Sequence, residues 1–439
     1  MYIRCLRNKA LPRICNGFRK KVCSYFITIA LLLGSFASYS EDEAQNLYTN
    51  YKALLYQIKI IDNESSQKST IGSGFIINTQ GLAVTNYHVV SRYIIDPENN
   101  RIEVEDVNGD ISSASLINFD VINDLALIQI DLSEEQSEYI PLAEGLPLQG
   151  TSIYSLGNPH DLGMIVVPGT FNGLQKNSYY ETIHFTGSVN SGMSGGPVVN
   201  EDGELVGVNV ASAGNQLGFL VPLGKVLALL EGDVQLTQDN YKTHIAQQLN
   251  KNQEQLVNEL LSAPWSVDAL GDAMVPDSIA DFITCWGDSN ADDEDKQFLS
   301  VRKSCSLDQT IYLSDRIQTG HVMANFRWYE SDKLNSWRFY NLINGRMDTR
   351  GHQGMAMVDD FSEYQCSHDT VENSNSVTLK SAICLKAYKE YDGLFDVFFV
   401  AATLDKEKAS LIARFHLAGV TQESFERFAP VFMDSISWQ

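Results

Sequence analysis

Along residues 52–232 the apolar positions come in short runs, broken every few residues by Gly, Asn or Asp. Leu54–Ile61, Gly74–Asn78, Ala83–Thr85, Ala126–Ile130, Ser152–Leu156, Leu205–Val210 and Phe219–Val221 are such runs. Short runs with turn residues between them predict strands closed into barrels or a sandwich, not the long alternation of a parallel sheet. The pattern changes at 241–261, where Ile245, Leu249, Leu256 and Leu260 fall on one face at helical spacing. This predicts a connecting helix, ended by Pro264. Beyond it the period changes again. Val322, Ala324, Phe326 and Trp328 alternate along a strand, as do Leu411, Ala413, Phe415 and Leu417, and Phe395–Leu404 is a continuous apolar strand. Phe425, Phe428 and Phe432 give 421–436 a helical face, with Pro430 expected to kink or shorten it. Residues 265–439 therefore read as a separate α+β region, with Trp328, Tyr329, Trp337 and Phe339 in its core.

A chain of 439 residues exceeds one ordinary core, and the pattern divides it. The expected organisation is a targeting segment at 1–40, a mainly β domain at 41–233, a helical linker at 234–264 and the α+β domain at 265–439. The net charge of −23 is uneven: residues 1–40 hold seven Lys/Arg and no Asp or Glu, so the remainder stands at −30. So acidic a surface repels phosphate backbones and anionic headgroups, which argues against nucleic-acid or membrane-surface partners. The basic stretch precedes an apolar run, Tyr25–Phe36, too short to span a bilayer comfortably, and small residues at 37–40. This is the pattern of a secretory signal, cleaved after Ala37 or Ser40, with an uncleaved anchor as the alternative. Cysteine usage agrees with export to the periplasm or beyond. Cys5, Cys15 and Cys23 lie within the signal; Cys285, Cys305, Cys366 and Cys384 remain, an even number as for disulfides. Local loops close most easily, so the pairs expected are Cys285–Cys305 and Cys366–Cys384. No CxxC or neighbouring His cluster points to a metal, and no cofactor motif is found.

The densest chemical signal is Gly192-Met193-Ser194-Gly195-Gly196-Pro197. A serine hydroxyl is a poor nucleophile that needs a base, and donors for the oxyanion formed on attack. Glycines around the serine allow a tight turn in which the backbone N–H groups of 192–194, those of Gly192 and Ser194 foremost with Met193 between them, converge on one spot. Among eight His, His88 stands apart, at the end of an apolar strand in Val84-Thr85-Asn86-Tyr87-His88-Val89-Val90. A carboxylate held among apolar residues should fix its tautomer; Asp124 in Asn123-Asp124-Leu125-Ala126-Leu127-Ile128 fits, with Asp120 as the near alternative. The order His88…Asp124…Ser194, at separations of 36 and 70 residues, is that of chymotrypsin and not of subtilisin or the α/β-hydrolases. It puts the base and its orienting acid on one barrel and the nucleophile on a second.

With these segments in view, 71–232 resembles the protease domain of the HtrA/DegP-like, trypsin-like serine proteases. Gly72-Ser73-Gly74-Phe75-Ile76-Ile77, Leu156-Gly157-Asn158-Pro159 with Gly163 and Gly169, Gly203–Asn209 and Gly218–Pro222 carry the likeness beyond the triad. The resemblance implies a two-barrel chymotrypsin-like fold and hydrolysis of peptide bonds in exposed or unfolded proteins through an acyl-enzyme. It also implies a primary pocket built from Ser188, Val210, Ala211, Ser212 and Gly218. Ser188 stands where an anion would hold Lys or Arg, so small or medium apolar side chains are expected before the scissile bond. Met193 and Ser191 depart from the family's Asn and Pro, and no PDZ-like segment follows. Protein or peptide substrates are the partners expected, and a homo-oligomer is left open. The competing reading is a protease-like scaffold whose C-terminal domain carries the function.

Overall fold

The computed structural model describes residues 39–158, 163–212, 217–232, 234–347, 359–404 and 406–439. The proposed signal, with Cys5, Cys15 and Cys23, lies outside them except for its last two residues. Helix α1 (Tyr39–Tyr51) opens the described chain. β1 (Leu55–Asp62), β2 (Lys68–Ile76) and β3 (Leu82–Thr85) follow, then helix α2 (Tyr87–Ile95), β4 (Asn100–Glu105), β5 (Ile111–Asp120) and β6 (Leu125–Ile130). These six strands close in the order β1-β2-β3-β6-β5-β4. β7 (Ser152–Gly157), β8 (Ile165–Leu174), β9 (Ile183–Thr186), β10 (Pro197–Val199), β11 (Leu205–Ser212) and β12 (Leu217–Pro222) close a second barrel, β10-β11-β12-β9-β8-β7. The predicted mainly β, two-barrel architecture is present.

Helix α3 (Leu223–Glu231) leads to α4 (Tyr241–Leu260), the helix expected from its apolar stripe. α4 joins two cores. Tyr241, Ile245 and Leu249 pack into the first barrel's cluster, whereas Leu256, Val257 and Leu260 pack under the C-terminal sheet. Past β13 (Ser266–Leu270) and β14 (Ala273–Ser278) come β15 (Thr284–Ser289), β16 (Leu299–Ser306), the small hairpin β17 (Ile311–Ser314) and β18 (Ile317–Thr319), and β19 (Val322–Glu330). Then follow α5 (Ser336–Arg346), β20 (Gln365–Glu372), β21 (Thr378–Ala387), β22 (Phe395–Thr403), β23 (Ala409–Val420), α6 (Gln422–Asp434) and β24 (Ser437–Trp438). Seven strands form one antiparallel sheet, β15-β16-β19-β23-β22-β21-β20. α4 and α6 cover one face and α5 part of the other.

Both disulfides form as expected, Cys285–Cys305 and Cys366–Cys384, each joining directly opposed residues of an outer hairpin at one edge of the sheet. Two details differ from expectation. α6 runs through Pro430 to Asp434: the carbonyl deprived of its partner belongs to Glu426, an exposed residue open to solvent, while Phe428 and Phe432 keep the buried face. Trp337 is 74% exposed instead of core, because Phe339 and Ile343, four residues apart, take the buried face of α5.

Candidate active site

The short α2 begins immediately after β3, and its second residue is His88. The first amides of a helix have no intrahelical acceptor, and here Asp124 supplies one: His88 N donates to Asp124 Oδ1 at 2.8 Å. The other carboxylate oxygen lies 2.7 Å from His88 Nδ1. One carboxylate thus caps the helix and holds the ring. Asp124 reaches this position by adopting φ +55°, with its carbonyl accepting from Asn86 Nδ2 at 2.7 Å. A non-glycine residue in the left-handed region is a local strain that surrounding contacts must outweigh. Asp120 faces elsewhere: its oxygens accept the amides of Ile122 and Asn123 and the Asn123 side chain, closing its own turn. The His88 side chain is 27% exposed. Burial opposes its protonation, but Asp124, by charge and hydrogen bond, and Asp315 by charge, raise its pKa above the ordinary histidine value.

Ser194 sits in the turn before β10, half-buried. Its Oγ donates to Val210 O at 3.5 Å, the hydrogen bond found for it among the described residues. The turn is held from both barrels. Ser73 N, on β2, donates to Ser194 O at 2.8 Å, and Ser73 Oγ donates to Gly192 O at 2.7 Å. Gly195 N donates to Asn209 O, and Asn209 N to Gly196 O, each at 2.9 Å. Gly195 has φ +83°, and a Cβ there would lie 2.3 Å from Ser73 O, so only glycine fits. Ser73 and Asn209 are the supports that motif reading passed over; the available signal was a polar residue inside each apolar strand.

Among the described residues the amides of Gly192 and Ser194 have no backbone acceptor, and Gly192 takes φ +93°. The Met193 amide is engaged by Asn190 O at 3.0 Å and its side chain is buried, so it is unavailable to an incoming oxygen. Of the expected pocket, Ser188 is exposed and Val210 half-buried. Ala211 and Ser212 pair with Phe219 and Gly218 across β11 and β12. A Cβ on Gly218 would meet the Val189 side chain at 2.8 Å, which keeps this position bare.

Two six-stranded barrels with this turn define the class: residues 72–208 match the trypsin-like peptidase domain. The relatives are narrower in kind. Serine protease HTRA1A of Danio rerio is 32% identical over 181 residues, 39% of this chain and 36% of its own. The serine endoprotease DegS of Haemophilus influenzae is 29% identical over 187 residues, 39% of this chain and 53% of its own. The crystal structure of the serine endoprotease from Yersinia pestis is similar over 43% of this chain and 65% of its own, at 29% identity and a TM-score of 0.37. Residues 72–208 are thus similar to trypsin-like peptidase domains, and the curated relatives of this stretch are HtrA- and DegS-type serine proteases. The chain spans 36% and 53% of the lengths of these two curated relatives.

Proposed function

We propose that this protein is an exported serine endopeptidase in which Ser194 attacks the scissile carbonyl, His88 takes its proton and Asp124 orients and charge-balances His88. The observation that carries the reading is the double engagement of His88 by Asp124, at Nδ1 and at the backbone amide. It fixes the tautomer that leaves Nε2 free to accept a proton. The bond from Ser194 Oγ to Val210 O is long, so turning the hydroxyl toward His88 gives up little. Attack forms a tetrahedral oxyanion, which accepts from Gly192 N and Ser194 N. Collapse expels the amine, protonated by His88, and leaves an acyl-Ser194 that water hydrolyses with His88 again as base.

The substrates are proteins or peptides, cleaved after small or medium apolar residues, because Ser188 offers no anion and Val210 a neutral wall. The two disulfides favour an oxidising compartment, in agreement with export. Labelling with a fluorophosphonate and cleavage of casein test the reading together. Wild type should do both, and Ser194→Ala neither, with an unchanged circular dichroism spectrum. Residual casein cleavage by Ser194→Ala sinks it, as does a peptide library cleaved chiefly after Arg or Lys for the pocket.

A further inference from the structure

The hairpin β17–β18 reaches from the C-terminal region to α2, the helix that carries His88. Ile311, Leu313 and Ile317 are buried in the same cluster as Tyr87, Val90 and Ile94 of α2. Tyr87, fully buried, donates its hydroxyl to Leu313 O at 3.1 Å. Tyr312, between Ile311 and Leu313 on the strand, is half-buried and packs against the edge of this core. There its ring stands at the His88 imidazole, centroids 5.8 Å apart and planes at 70°, an edge arrangement that aromatic pairs prefer. The Tyr312 hydroxyl donates to Asp315 Oδ1 at 2.6 Å within the same hairpin, which fixes the ring's direction.

The hairpin itself is tied down. Thr319 Oγ1 donates to Tyr388 OH at 2.7 Å, and Tyr388 OH donates to Asp396 Oδ1 at 2.7 Å, anchoring its end to the large sheet. Arg316 pairs with Asp360 at 3.0 Å. A ring held at one nitrogen can still tilt and swing about its side-chain torsions. Asp124 grips one edge of the imidazole, and Tyr312 fills a second side.

We propose that Tyr312, supplied by the C-terminal region, is a positioning residue for peptide hydrolysis: its ring keeps the His88 imidazole turned with Nδ1 on Asp124 and Nε2 toward Ser194. The proposal rests on His88 being the general base. It assigns the C-terminal region a direct part in the protease site through one side chain.

The test is steady-state kinetics of the full chain on a fluorogenic peptide, with Tyr312→Ala, Tyr312→Phe and Ser194→Ala compared. Displacing a catalytic group by about an ångström costs up to roughly 100-fold, so Tyr312→Ala should lower kcat roughly 10- to 100-fold with KM little changed. Tyr312→Phe keeps the ring and should recover most of kcat. Wild-type kcat in Tyr312→Ala, a loss confined to KM, or a Phe variant as impaired as Ala each overturns the proposal. Should Tyr312→Ala not fold, Tyr312→Leu keeps comparable volume without the aromatic edge and carries the same expectations. Hydrolysis surviving in Ser194→Ala would instead overturn the underlying reading of the triad, so the two failures are distinguishable.

Discussion

The first barrel and the second have six strands each, yet they are supported in different ways. The first barrel's core continues without a break into α4 and the C-terminal region, through Tyr241, Ile245, Leu249, Ile311, Leu313, Phe361, Tyr388 and Leu394. Among the described residues, one cluster of the second barrel, from Ile153 and Phe171 to Val206 and Leu220, consists of its own residues. Among the described residues, Tyr179 and Tyr180 tie it to the C-terminal region. Tyr180 exchanges two backbone bonds with the Gln309 side chain at 2.8 and 2.9 Å, and Tyr179 packs on Phe282. The half that holds His88 and Asp124 is thus built into a larger body, whereas the half that holds Ser194 has a cluster of its own.

The largest expected effect comes from the half built into the larger body. Asp124→Asn keeps the size of the side chain but not the charge, and should lower kcat by roughly 10⁴-fold, as the same change does in such triads. Asp120→Asn, four residues away and hydrogen-bonded to Ile122 and Asn123 of its own turn, should leave kcat near wild type. Equal losses from the two would remove Asp124 from its role. Core truncations come next. Leu249→Ala and Phe185→Ala each empty a fully buried site and should destabilise by about 2–5 kcal/mol. Their reach should differ. In hydrogen exchange, Leu249→Ala should loosen α2, the first barrel and the C-terminal region together, but Phe185→Ala the second barrel alone. A uniform loss of protection in both variants would erase the contrast between the barrels.

What could be read in the chain follows the same division. Ser194, His88 and Asp124 lie in short segments where glycine spacing and an apolar flank are themselves the signal. The two disulfides were accessible because each closes within a single hairpin, at separations of 20 and 18 residues. The helix 241–260 announced its stripe, but not that the stripe divides between two cores, since which surface covers a helix face is a long-range fact. Tyr312 was beyond reach for the same reason. Its hairpin meets α2 across more than 200 residues, as in the bond from Tyr87 to Leu313, and no local pattern marks it. That the Met193 amide donates within the turn itself was not legible either, because counting residues around a serine does not reveal which N–H the turn consumes.

The smallest effect, and the most specific to the buttressed half, is on pH dependence. Asp124 and the hairpin's Asp315 favour the imidazolium more than burial opposes it, so His88 titrates above the usual value of about 6.5. A base must be neutral to act, and kcat/KM reports the free enzyme, so its acidic limb should lie above that value. Stability has the opposite sign. A raised folded pKa means that His88 contributes fully below its unfolded pKa, and that this contribution disappears as pH rises through the folded pKa. Activity should therefore rise across the window in which this one contribution fades. Asp315→Asn removes one of the two charges without touching the Asp124 pair and should move the acidic limb downward. A limb unmoved by Asp315→Asn would mean that the C-terminal region does not reach His88 through charge, leaving the Tyr312 ring as its means of contact.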